Sequence, residues 1–190
     1  MNRKDIVQII EEDEWMMDIL RSAESLNLPD WWIGAGFVRG KVWDILHEYK
    51  KRTPVPDIDI IYFDKKDFSK IEASKYTTKA EEEYQKILKH KMPAVKWSVT
   101  NQARMHLFHK DKPYRNSEEA LSNWVETATC IGVKINKNKI ILCAPWGIKD
   151  LTSLILRPSP AFRNNPKTFY QRVGDKEWIK KWPKLTIRES

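Results

Sequence analysis

Apolar residues along this chain alternate between helical spacing and short continuous runs. Ile6, Ile9, Ile10, Met16, Met17, Leu20 and Ala23 recur near helical spacing, which predicts an amphipathic helix over residues 4–26, ended by Asn27, Pro29 and Asp30. The apolar run at 31–33 reads as a strand, Gly34-Ala35-Gly36 as a tight turn, and 37–49 as a second helix. Two prolines in the following KKRTPVP cannot continue a helix, so this segment is a loop. IDIIYF at 58–63 is the clearest strand, rich in β-formers and bounded by turn residues. Residues 65–91 are charged and predicted mostly helical. Pro93 breaks that helix, and AVKWSV at 94–99 returns as a strand. Ser117, with Glu118 and Glu119 behind it, opens a helix over 117–130. A strand pair at 133–135 and 139–143 flanks NKN, and the loop RPSPAFRNNP leads to a last helix over 168–182. The order predicts an α/β (α+β) fold, a mixed β-sheet flanked by helices, in a single domain spanning 1–190.

The chain has 190 residues, 41% of them hydrophobic, enough for one core. No run approaches the roughly 18 consecutive apolar residues of a membrane span. The charged opening MNRKDIVQIIEEDEW has no apolar signal region, so the expectation is a cytoplasmic protein without a membrane partner. Cys130 and Cys143 lie in unrelated contexts and predict two ordinary thiols rather than a disulfide or zinc site. Nine tryptophans are scattered through the chain with no local cluster, which favours core filling over a base-stacking platform. The net charge of +8 is uneven: residues 1–100 hold 17 Lys/Arg against 18 Asp/Glu, and residues 101–190 hold 17 against 8. A basic second half suits a polyanion such as nucleic acid or a nucleotide phosphate, and equally a lysine-rich surface with no partner.

The candidate chemistry lies in two segments read together, the glycine turn at 34–36 and Asp57-Ile58-Asp59, 21 residues later. Side chains alternate along a strand, so Asp57 and Asp59 share a side. Two carboxylates there repel each other unless a cation lies between them, and Mg2+ (or Mn2+) suits carboxylate and phosphate oxygens. The turn opens a helix, whose first N–H groups favour an anion. Metal at a strand end beside a phosphate-holding turn suits a nucleoside triphosphate. The competing reading is a dinucleotide-binding fold, since GAGFVRG superficially resembles its glycine fingerprint. That fold, however, places its acid after the apolar run of the second strand, whereas both acids here precede IIYF.

GAGFVRG followed by PDIDIIYFD resembles the glycine turn and DxD signature of the DNA polymerase beta-like nucleotidyltransferase superfamily. Within it, WWIGAGFVRGKVWDILH, TPVPDIDIIYF, WSVTNQARMH, APWGIKDLTSLILRPSP and YQRV…WIKKWP are similar to a bacterial nucleotidyltransferase family once described only as a domain of unknown function. The resemblance covers nearly the whole chain. It implies that a substrate hydroxyl attacks the α-phosphorus of a nucleoside triphosphate and displaces pyrophosphate, with Asp57 and Asp59 as metal ligands and catalytic residues. It also implies that Gly34, Ala35 and Gly36 approach the triphosphate through their backbone and that Arg39 neutralises phosphate charge. Two departures stand out. No serine follows the glycine, so the backbone alone must serve. Active members usually carry a third carboxylate on a later strand, and the matching position here is Ser98, which leaves weak activity, recruitment of another acid such as Asp150, or a non-catalytic nucleotide- or RNA-binding module as alternatives. Transfer-RNA-tail enzymes share the glycine–VR–DxD order but use additional helical domains for which this chain is short.

Asn101, Gln102 and Arg104 follow the Ser98 strand and read as a wall of the substrate pocket, with helix capping as the competing role. His106 and His109 lack further ligands for a closed zinc site. Arg157 and Arg163 flank a proline loop and read equally as acceptor contacts or solvated residues. Phe169, Val173, Trp178 and Trp182 are predicted to pack the last helix onto the body, and Asp44 and Glu48 to be surface acids. The acceptor, whether small molecule, RNA or protein, is not specified by the sequence.

Overall fold

A computed structural model describes residues 1–67, 77–109 and 112–188. Two helices, α1 (Arg3–Glu11) and α2 (Glu14–Glu24), take the place of the single helix predicted over 4–26. Asp13 causes the break. Its carboxylate accepts from the Met16 backbone N–H and caps α2, and it also pairs with Lys41 and Arg52, each at 2.8 Å. The apolar periodicity crosses this break undisturbed, since Ile6, Ile10, Met16, Ile19, Leu20 and Ala23 are all fully buried.

Next come β1 (Trp32–Gly34), α3 (Gly36–Leu46), β2 (Ile58–Tyr62), α4 (Lys79–Lys91) and β3 (Trp97–Asn101). They are followed by α5 (His106–His109), α6 (Ser117–Ser122), β4 (Gly132–Asn136) and β5 (Lys139–Cys143). The chain continues through α7 (Lys149–Thr152), β6 (Ile155–Leu156), α8 (Pro166–Asp175), α9 (Trp178–Lys181) and β7 (Thr186–Ile187). The mixed sheet has the order β3-β2-β1-β4-β5, with β2 and β3 parallel and the other neighbours antiparallel. β6 and β7 pair in parallel as a separate ribbon. No helix among the described residues is long and apolar enough to cross a membrane.

Three predicted helices are shorter in the structure. The one expected over 65–91 is described from Lys79, where Thr78 and Glu81 form a reciprocal capping box; residues 68–76 lie outside the described residues. The one expected over 117–130 ends at Ser122. Beyond it Glu126 forms a single bridge with Pro158, flanked by Ser159 N–H to Val125 O at 2.8 Å and Thr127 N–H to Arg157 O at 3.0 Å, and 127–129 then turn through Thr129 N–H to Glu126 O at 2.9 Å. The last helix splits into α8 and α9 at Glu177, which adopts a left-handed conformation with φ 51°.

Alternation along β2 sorts its side chains between two layers. Ile58, Ile60 and Tyr62 enter the main core with α1, α2 and α3, whereas Ile61 packs with Trp32, Leu121 and Cys143 under α6. The odd-numbered side, which includes Asp59, therefore lies opposite the main core. Cys130 and Cys143 are buried free thiols, and Trp31, Trp32, Trp43, Trp97, Trp178 and Trp182 are buried.

The C-terminal helices are fastened to α3. Trp43 meets Trp178 and Trp182 edge-on, with ring centroids 5.9 and 5.1 Å apart. Asp44 is not the surface acid expected from sequence. It is 5% exposed and accepts from Trp182 Nε1 at 2.8 Å, Thr53 Oγ1 at 2.6 Å and Thr53 N–H at 2.8 Å. Glu48 is exposed, as expected.

Candidate active site

The turn between β1 and α3 is shaped by two different demands. Gly34 pairs with Gly132 across β1 and β4, and a Cβ at Gly34 would fall 2.5 Å from Trp124 Cη2. Its lack of a side chain thus serves indole packing. Ala35 carries the unusual geometry, φ 53° and ψ −124°, which L-residues rarely adopt. That kink starts α3 at Gly36, and no side chain caps the first turn of the helix.

Asp57 and Asp59 lie at the start of β2, half-buried, and share one cavity with Ala35, Gly36, Arg39 and Gly40. The loop Thr53 to Pro56 forms a second wall, and Arg172, Lys176, Trp178, Lys181 and Trp182 a third. The cavity measures about 80 Å³. This is far below the roughly 300 Å³ lower end for sites that enclose a whole ligand, so the cavity is too small to enclose a complete nucleotide. A larger groove of about 620 Å³, between α4 and the start of β3, is not lined by the acids, although Trp97 on its wall is the register partner of Ile58. Burial, followed by the adjacent Asp57 carboxylate, pushes the Asp59 acid up to about 6; the Ser98 hydrogen bond and the cations Arg172 and Arg39 act in the opposite direction. Ser98 is the register partner of Asp59 on parallel β3, the place the sequence assigns to a third carboxylate. Among the described residues, no cluster of three or more His, Cys, Asp or Glu side chains is arranged to hold a metal.

Arg39 lines the cavity with its guanidinium held against the protein by one hydrogen bond and two rings, and among the described residues its buried Nε has no hydrogen-bond partner. Arg39 donates to Thr129 Oγ1 at 2.7 Å, stacks 4.3 Å from the Trp178 ring and 5.1 Å from Trp43, and is 7% exposed. Burial lowers it to about 10, still a cation at neutral pH, and Glu126 is the first of the charges supporting it. Glu126 is fully buried and pairs with Arg172, Nε to Oε1 at 2.9 Å.

The structure takes Asn101, Gln102 and Arg104 away from this cavity. β2 and β3 are parallel, so Asn101 pairs with Tyr62 at the far end of the strands, three residues or roughly 10 Å past Ser98. There Asn101 is fully buried and clasps the Asp64 backbone, and Arg104 pairs with Asp67 at 2.9 Å and Glu81 at 2.6 Å. Gln102 is 5% exposed in a short 3-10 turn. Asp150 is also occupied elsewhere, by Thr127 at 2.7 Å and Arg157 at 3.1 Å. His106 contacts the Tyr114 ring; the side chain of His109 lies outside the described residues, and Arg163 is exposed. Sequence reasoning missed Glu126, Arg172, Lys176 and Lys181. The one available signal was the basic surplus of the second half, which does not say where each cation lands.

The family model described as Nucleotidyltransferase matches residues 21–187. Comparison with curated protein sequences gives no match. Among solved structures, an NMR structure described as a CCA-adding enzyme head domain is similar over 100% of this chain and 97% of its own, at 28% identity and a TM-score of 0.83. A CCA-adding enzyme with ATP is similar over 97% of this chain at 15% identity and a TM-score of 0.54, and a Thermotoga maritima CCA-adding enzyme complexed with tRNA over 100% at 14% and 0.56. The chain spans 42% and 43% of those two longer proteins, and at such identity they share its fold. With the family model covering most of the sequence and this fold beneath it, the chain belongs to the nucleotidyltransferase family.

Proposed function

We propose that this protein is a metal-dependent nucleotidyltransferase that transfers a nucleoside monophosphate from a nucleoside triphosphate to an acceptor hydroxyl. The observation that carries the reading is a single cavity shared by Asp57, Asp59 and the uncapped start of α3. The donor set fits a hard divalent cation: two carboxylates in one cavity, where burial first and then the Asp57 charge raise the Asp59 acid. Mg2+ commonly takes one or two carboxylates and completes its shell with water and substrate phosphate. Asp57 and Asp59 would hold Mg2+ or Mn2+, which supplies Lewis-acid stabilisation of charge at the reacting phosphorus. The first N–H groups of α3 orient phosphate oxygens, and the Ser98 hydroxyl fixes the Asp59 carboxylate. The acceptor hydroxyl oxygen forms its bond to the α-phosphorus and loses its proton to solvent as the bond to pyrophosphate breaks. The complexes of similar folds with ATP and CTP support a nucleoside triphosphate as donor.

A second reading, a nucleotide-binding module without turnover, is favoured by one observation: a serine stands opposite Asp59, and among the described residues no third carboxylate joins the pair in a metal cluster. Pyrophosphate release decides between them. The protein is incubated with each nucleoside triphosphate, Mg2+ or Mn2+, and a panel of RNA, protein and small-molecule acceptors. The enzyme reading expects metal-dependent pyrophosphate release that Asp57→Asn and Asp59→Asn abolish. Metal-dependent nucleotide binding with no release on any acceptor supports the module, and release that survives both substitutions overturns the assignment of these acids.

A further inference from the structure

An arginine beside two carboxylates would ordinarily fold onto them and displace the metal they are meant to hold. Arg172 lines the same cavity as Asp57 and Asp59 and acts electrostatically on Asp59. Among the described residues, however, its ion-pair partner is Glu126, with Nε 2.9 Å from Oε1 in a charge contact whose N–H is not aligned as a hydrogen bond. Nε is the inner nitrogen of the guanidinium, so this pairing leaves the two terminal NH2 groups uncommitted to that carboxylate. Glu126 is fully buried, and Arg172 retains 35% side-chain exposure. Burying a carboxylate this deeply carries a penalty that only a nearby cation offsets, and the arrangement compensates both Arg172 and the stacked Arg39. Lys176 lies one turn further along α8 and lines the same cavity, with its residue exposed. Lys181 differs, because its ammonium is spent on the Lys176 carbonyl at 2.9 Å.

The wall facing the α3 N-terminus is thus cationic, anchored from behind, and borders the cavity that holds the paired acids. We propose that Arg172, positioned by Glu126, acts with Lys176 to grip the polyphosphate tail of the nucleoside triphosphate, and that Glu126 also keeps Arg172 off the metal-binding acids. This rests on the transferase reading above and assigns the residues that distinguish a triphosphate from a monophosphate there. Arginine suits the task because its planar donors match phosphate oxygens two at a time. The leaving pyrophosphate would carry its charge against this wall as its bond to the α-phosphorus breaks.

The test is Mn2+-dependent binding of ATP, CTP, GTP or UTP, whichever binds best, and of the matching monophosphate, read by titration calorimetry on the full chain. Arg172→Gln is expected to weaken triphosphate affinity on the order of tenfold or more, the loss typical of a charge-assisted hydrogen bond, and to leave monophosphate affinity unchanged. Lys176→Gln is expected to act in the same direction by a smaller factor. Glu126→Gln is expected to weaken Mn2+ binding in the absence of nucleotide, a readout that a purely structural role would not move in a protein of unchanged circular dichroism. Arg172→Lys and Lys176→Gln, both at partly exposed positions, decide the matter if Arg172→Gln does not fold. Equal triphosphate affinity in Lys176→Gln and either Arg172 variant overturns the proposal while the transferase reading stands. A wild-type protein that binds no triphosphate with metal overturns both.

Discussion

Ser98 and Asp59 are register partners across parallel β3 and β2, and the Ser98 side chain counters the rise that burial and Asp57 impose on the Asp59 acid. A short neutral side chain thus sits where a third acid would complete a metal cluster. Ser98→Asp should lower stability in metal-free buffer, because three carboxylates then repel one another. It should also enlarge the stabilisation produced by Mn2+ and raise pyrophosphate release. Thermal melts with and without Mn2+ check the first two expectations; unchanged metal stabilisation would show that position 98 does not face the ion.

Asp59→Asn should make the protein more stable at neutral pH while removing metal binding. The folded acid titrates at about 6, against ~3.9 for an unfolded aspartate. Between these values the folded state binds the extra proton, so wild-type stability falls as pH rises through this window and is level above it. Below the window the acid is protonated in both states and the penalty vanishes. The variant should therefore gain roughly 1–3 kcal/mol at pH 7 and nothing near pH 3. Denaturant titrations at several pH values, without divalent ions, measure the difference; a gain independent of pH would contradict it.

Ala35 holds a left-handed backbone without being glycine. Strain of ~1–3 kcal/mol in the folded state outweighs the ~0.5–1 kcal/mol that glycine loses through its freer unfolded chain. Ala35→Gly should consequently raise the denaturation midpoint, with a net gain near 1 kcal/mol. A lower midpoint would mean that the kink is relaxed.

Gly34→Ala should do the opposite one residue earlier. Its new methyl group would meet the Trp124 ring at 2.5 and 2.8 Å, and overpacking of this kind costs about 1–3 kcal/mol. Adding Trp124→Leu should recover part of that loss in a double-mutant cycle, and additive losses would refute the contact.

Asp44→Ala should be the most damaging of these substitutions. It leaves the buried Trp182 indole N–H and the Thr53 donors without their acceptor, a loss of about 2–4 kcal/mol. Because Trp182 and Thr53 both line the cavity, nucleotide affinity should fall with stability. Urea denaturation and calorimetry on one sample test the linkage.

The part of the site that could be read from sequence is the part written locally. A turn before a helix and two acids spaced by one residue at a strand start are short-range patterns, and Asp57, Asp59, Ala35, Gly36 and Arg39 do share one cavity. Ser98 could be placed because parallel pairing fixes register once two strands are recognised. Asn101, Gln102 and Arg104 followed the right strand but lie at its wrong end, since closeness in sequence to Ser98 does not give the direction back to the cavity. Asp13 split the first helix while its neighbours kept helical spacing, so periodicity alone could not show the cap. Asp44 read as a surface acid because its partners, Thr53 and Trp182, are recruited only by tertiary packing. The α8 wall was unreadable for the same reason.

The fastening of Trp182 to Asp44 sets an order of events during synthesis. Turn, acids and Arg39 all leave the ribosome before the opposite wall, which waits for Arg172 to Trp182 further along the chain. A nascent chain therefore exposes its paired acids long before it possesses an enclosed pocket around them. Competence to retain a charged ligand should switch on abruptly, when the last helices dock, and not grow with chain length.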